Sequence, residues 1–146
     1  MPRRVGNPLV SWVLGHPPSN LALQYLPYKV TLADMTENAE RIATNLRKGV
    51  LEFCVLGLLA ANERYGLELA SELQGRGLIA SEGSLYPLLA RMREGGLVDT
   101  RTEAVGGGRP RRYYTITAAG REQLDTFAEV WRAVGAEVDI IMEGTS

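Results

Sequence analysis

The chain has 146 residues, 16 Lys and Arg against 17 Asp and Glu for a formal charge of -1, 45% hydrophobic residues, one Cys and one His. That length fits one domain with a modest core. A single Cys excludes an intrachain disulfide framework and a multi-thiolate zinc site, and a single His excludes a histidine metal cluster, so a reduced, cytoplasmic protein without metal or cofactor is expected. Near-zero charge argues against nucleic-acid binding only when the charge is evenly spread. Here it is polarised: residues 76–121 carry a net +4 and residues 122–146 a net -5. The pattern points to a basic binding face and a separate acidic helix.

Residues 1–34 hold five of the seven prolines and the only histidine, His16. Each proline removes a backbone donor and fixes φ, so neither a helix nor a central strand is expected there. From Met35 the sequence turns abruptly into an ordinary polar helix opening. The expectation is an irregular or disordered extension over residues 1–34, with Met35 as the true or an alternative start. Asn38 to Lys48 is predicted helical, either broken at Gly49 or running on into the next segment. Residues 50–61 are apolar at nearly every position. Twelve helical residues rise only about 18 Å, and a bilayer needs about 20 residues, so a buried central helix is predicted, with Cys54 as a small core residue.

A second helix is predicted to start near Tyr65-Gly66, to place Leu67, Leu69, Ala70 and Leu73 at helical spacing, and to stop at Gly75 and Gly77. A third covers Ser81 to Glu94 and ends at Gly95-Gly96. Its cap is Ser84, which puts Pro87 in the first turn, or Ser81, in which case Pro87 bends it. Leu97–Glu103 and Arg112–Ile116 read as two strands, the second alternating Tyr114 and Ile116 against Tyr113 and Thr115. A long flexible tip, residues 104–111, joins them. Thr117 then caps a last helix. The expected fold is mainly α with a small β-hairpin: a winged helix-turn-helix domain over residues 35–117 plus a C-terminal dimerisation helix over residues 118–146.

On the third helix Leu85, Leu88, Leu89 and Met92 share the face that must pack inward, while Gly83, Ser84, Pro87, Ala90, Arg91 and Glu94 look outward and Tyr86 lies on the boundary. Ser84 and Tyr86 offer hydroxyls, and Arg91 reaches a phosphate or a guanine edge. The competing reading of these residues is plain solvated surface, with a packing role for Tyr86. At the tip, Arg109, Arg111 and Arg112 follow three glycines, which suits double-stranded DNA. There is no Walker lysine and no GxGxxG opening a helix after a strand, so nucleotide binding is set aside. No nucleophile-base pair or metal spacing can be assembled, so no catalytic or metal site is expected. The alternative is a winged-helix protein-interaction module without DNA binding. In the last helix Leu124, Phe127, Trp131, Val134, Val138 and Ile141 recur every three or four residues, a stripe longer than a small domain covers alone, which predicts a homodimer.

Taken together, Leu46-Arg47-Lys48-Gly49-Val50-Leu51-Glu52, Val55-Leu56-Gly57-Leu58-Leu59, Tyr65-Gly66-Leu67-Glu68-Leu69, Glu82-Gly83-Ser84-Leu85-Tyr86-Pro87-Leu88-Leu89, Gly108-Arg109-Pro110-Arg111-Arg112-Tyr113-Tyr114 and Thr117 with Gly120-Arg121 resemble the PadR family of bacterial transcriptional regulators. The likeness covers about residues 40–142. It implies a winged-helix dimer, usually a repressor, that binds a pseudo-palindromic operator and is released by a small molecule or another signal. Ser84 and Tyr86 match the opening of the family's recognition helix, and Arg109, Arg111 and Arg112 match its wing. The single C-terminal helix is similar to that of the short members, where it forms the dimer interface. Trp131 would fill the dimer core or stack on a flat aromatic effector. Members commonly begin near the position of Met35, in line with the expected start.

Overall fold

The computed structural model describes residues 32–144, with side chains from Thr36 onward. All but the last three residues of the expected extension 1–34 therefore lie outside the described residues. Those three, Leu32, Ala33 and Asp34, already belong to helix α1 (Leu32–Ala61), so regular structure opens ahead of Met35. After it come β1 (Arg64–Tyr65), α2 (Gly66–Gly75), a 3-10 turn (Glu82–Ser84), α3 (Leu85–Glu94), β2 (Val98–Glu103), β3 (Arg111–Ile116) and α4 (Ala118–Gly144). Helix α1 runs unbroken through Gly49, because one glycine costs a long helix only about 1 kcal/mol. No described helix is long and apolar enough to cross a membrane.

The chain forms two compact units, one ending at Gly49 and one beginning at Val50. In the first, local pairs decorate the helix: Arg41 donates to Asn38 at 2.6 Å and Arg47 to Glu40 at 3.5 Å. The second unit contains the winged helix. Its core joins Val55 and Leu56 of α1, Leu69 and Leu73 of α2, Leu85, Leu89 and Met92 of α3, and Val98 and Tyr114 of the hairpin. The segment 50–61 is buried along one stripe rather than all round: Leu51, Phe53, Cys54 and Leu58 are only partly buried against that core. A unit this small lacks the volume to surround a helix.

Helices α2 and α3 end by the same device. Leu78 N–H reaches Leu73 O at 2.8 Å and Leu97 N–H reaches Met92 O at 2.9 Å, with Gly77 and Gly96 at φ +72° and +74°. These are Schellman stops that only glycine adopts without strain. Ser84, one of the two predicted caps, takes the N-cap position of α3, but its side chain makes no capping bond. The Ser84 side chain donates to Ser81 O at 2.6 Å instead of accepting from the helix, and a 3-10 turn leads in. Pro87 still falls in the first α-turn, where its missing N–H has no partner to lose.

The sheet has order β1-β3-β2 and is antiparallel throughout. Strand β1 has no counterpart in the sequence reading; Arg64 and Tyr65 pair with Tyr114 and Tyr113. The tip is also tighter than expected. Strand β3 begins at Arg111, opposite Glu103, and Gly108 N–H closes a turn on Val105 O at 3.0 Å with Gly107 at φ +77°. Thr117 caps α4 as predicted: its hydroxyl accepts from Gly120 N–H at 3.0 Å and donates to Gly96 O at 2.6 Å.

Candidate nucleic-acid interface

Period 3.6 sorts the residues of α3 as the sequence demands. Leu85, Leu89 and Met92 are buried and Leu88 half-buried, while Ser84, Pro87, Ala90, Arg91 and Glu94 are exposed. Tyr86 does two things at once. Its ring lies so close to Gly66 that a Cβ there would meet Cε1 at 3.1 Å, yet the residue stays 45% exposed. Packing at one edge therefore fixes the ring and leaves the rest to solvent. Ser84 and Arg91 are seven residues apart, about 10 Å along the helix axis, so α3 offers two separate polar points.

The wing is built from the hairpin pleat. Strand alternation turns Arg101, Glu103, Arg111 and Tyr113 to the face opposite the buried Val98 and Tyr114. Arg112 lies on the other face, so Arg111 and Arg112 point away from one another. Arg109 is exposed in the short irregular stretch between the Gly107 turn and β3. Tyr65 joins the outer row: its ring meets that of Tyr113 edge to face at 5.7 Å, and the Arg111 guanidinium lies over it at 4.7 Å. Tyr65-Gly66 is thus the hinge of the site, touching Arg111 through Tyr65 and Tyr86 through Gly66. Neither residue was singled out for this role from sequence, although Tyr65-Gly66 stands among the quoted motifs.

Charge bookkeeping by segment changes once partners are visible. Arg64 and Arg76 bind Glu72, Arg76 at 2.9 Å, and Arg101 binds Glu63 and Glu103. Among the described residues no carboxylate pairs with Arg91, Arg109, Arg111 or Arg112. Every arginine assigned to DNA from sequence is therefore uncompensated, and two that swelled the local total are spent internally.

The Arg101 hydrogen bond holds the Glu63 carboxyl below its ordinary value, and that of Arg76, helped by Arg64, does the same for Glu72. A carboxylate whose folded pKa is lowered contributes stability above its unfolded value, here near 4.5, and loses it as pH falls through the lowered one. Melting temperature is therefore expected to hold between neutral pH and about 5 and to drop on further acidification. E72Q should flatten that acid limb in thermal melts followed by circular dichroism; an unchanged limb would contradict the pairing. Burial raises the Cys54 thiol, which suits its half-buried place beside the core.

Helix α4 divides along its length. Leu124 packs on the core and Phe127 stacks on Phe53 at 4.1 Å, so both are engaged within the chain. Beyond them Trp131, Val134, Val138 and Ile141 are between 47% and 57% exposed, in line with the long apolar stripe. The Trp131 ring stacks on Phe127 at 5.7 Å.

Residues 55–126 match the model of the transcriptional regulator PadR-like family. A PadR-like transcriptional regulator from Bacillus cereus shares 40% identity and superposes with a TM-score of 0.61, covering 67% of this chain and 96% of that one. The negative transcriptional regulator PadR of Bacillus subtilis is 31% identical over 78 residues, which cover 51% of this chain and 43% of that protein. The structure of Bacillus subtilis PadR in complex with operator DNA matches with a TM-score of 0.51 and 28% identity, covering 54% of this chain and 46% of that one.

Proposed function

Because the chain belongs to the PadR-like family of transcriptional regulators, we propose that it binds double-stranded DNA sequence-specifically, as a homodimer on a pseudo-palindromic operator, with residues 35–117 as reading domain and residues 118–146 as dimerisation helix. The observation that carries this reading is the set of four arginines, Arg91, Arg109, Arg111 and Arg112, exposed on α3 and the wing and without carboxylate partners among the described residues. Arginine left uncompensated at a surface is the group that exchanges condensed counterions for phosphate contact. Ser84 and Tyr86, both exposed, add hydroxyls at the opening of α3. The operator complex of the Bacillus subtilis relative supports the same use of the fold.

The exposed run from Trp131 to Ile141 supports dimerisation, since a contiguous apolar stripe on a lone helix marks a surface that another chain covers. Trp131 fills the core of that dimer or offers its face to a flat aromatic effector. The protein acts in the cytoplasm as a repressor released by a small molecule or another signal, a role supported by the name of the negative regulator it resembles. Genomic footprinting tests the reading. Protected pseudo-palindromes with half-sites about one helical turn apart are expected of a two-fold dimer. Absence of any footprint favours an interaction module that does not bind DNA.

A further inference from the structure

Arg101 and Arg111 lie on the same outer face of the wing, but their surroundings differ in one respect that the pleat alone does not explain. The cross-strand partner of Arg111 is Glu103. Opposite charges directly across an antiparallel pair attract, so an Arg111–Glu103 ion pair is the default of this register. The structure holds another arrangement. Glu103 accepts from Arg101 Nη1 at 3.0 Å. Arg101 also gives Nε to both oxygens of Glu63, at 3.1 and 3.0 Å, and adds Nη2 to the same carboxylate. Its guanidinium lies 4.3 Å from the centre of the Tyr113 ring. One planar fork thus gathers two carboxylates while resting on an aromatic face. Arg111 is left over Tyr65, in no ion pair among the described residues.

We infer that Arg101 is a positioning residue of the wing: by capturing Glu63 and Glu103 it keeps the Arg111 guanidinium on the Tyr65 ring and free of a counter-ion, ready for a phosphate. The inference rests on the reading of the wing as a DNA-binding surface. Its physical content is a difference between two supports. A carboxylate neutralises a guanidinium and occupies its donors, and must be displaced before a phosphate binds. An aromatic face attracts the same cation without cancelling its charge.

The test uses the intact protein and a fluorescein-labelled mixed-sequence duplex of about 30 base pairs, because phosphate contacts do not depend on sequence. Binding is followed by anisotropy from about 50 to 200 mM KCl. R101A frees Glu103 to claim Arg111 and should weaken binding about five- to tenfold, with a smaller salt slope. R101A/E103Q should recover to within about twofold of the parent, whereas R101A/E63Q, of identical net charge, should stay weak. Equal recovery in the two doubles reduces the effect to general electrostatics and overturns the proposal. Recovery in neither overturns it too, since Arg101 then acts by direct contact or through the fold. An R101A protein that binds like the parent sinks the inference alone; a parent that does not bind the duplex sinks the DNA reading with it. Should R101A unfold at the assay temperature, the same two doubles built on R101K, which keeps the charge but not the fork, give the same comparison.

Discussion

Replacing Gly120 by alanine is expected to destabilise the protein by about 3 kcal/mol or more, the upper range of overpacking substitutions. A Cβ at this position would meet Leu97 O at 2.2 Å and Ile116 Cγ1 at 2.8 Å. The first obstacle is backbone and cannot rotate aside. Leu97 is also held: its carbonyl accepts Thr117 N–H at 3.1 Å, and its N–H makes the Schellman bond that ends α3. The first turn of α4 therefore cannot lift away without releasing the Thr117 cap and the end of α3 together. For a domain of this size the corresponding fall in melting temperature is about 12 °C or more. Gly135, in the same helix, has nothing within 4 Å of its would-be Cβ. Within the chain the same change meets no obstacle, and helix propensity favours it by about 0.5–1 kcal/mol. Thermal melts of the two variants measure the contrast, and similar melting temperatures would show that the close approach at Gly120 is not the constraint described.

What the sequence disclosed, and what it withheld, divides by the range of the interaction. The inward face of α3 was legible because four apolar residues at helical spacing leave one solution. The Thr117 cap and the glycine stops after Leu73 and Met92 were legible because each acts within a few residues of itself. Strand β1 was not, since two residues carry no periodicity and the partner strand lies nearly fifty positions on. The Arg101–Glu63 clasp spans 38 residues and leaves no local mark. For that reason Arg101 counted toward a basic patch from which the structure removes it; Arg76 counted there too, although its partner Glu72 stands only four residues before it, because a sum of charges by segment takes no account of pairs one helical turn apart. The divergence of Arg111 and Arg112 was hidden by a boundary: a strand begun at Arg112 leaves Arg111 in the loop, and only its pairing with Glu103 assigns it a face. The tip looked loose because three glycines permit looseness, yet one of them, Gly107, is used for a hydrogen-bonded turn that needs positive φ.

R109A/R111A should bind DNA about 100-fold more weakly than the parent at physiological salt while melting at nearly the same temperature. Both side chains are exposed and neither holds an ion pair among the described residues, so folding has little to lose. Binding has more. Two phosphate contacts per protomer make four in a dimer, and each contributes about 0.9 to the slope of log affinity against log salt, so the slope should fall by about 3 to 4. The loss should be nearly uniform over different DNA sequences, because phosphate contacts set register without reading bases. A loss confined to the footprinted operator would instead place a guanidinium at a base edge in a groove. Arg112 faces the opposite side of the ribbon from Arg111, so the two share no partner, and adding R112A should lower the affinity by an increment independent of the first. Titrations at several salt concentrations decide the matter: unchanged affinity and slope in R109A/R111A would remove the wing from the interface and leave α3 alone to account for any DNA binding.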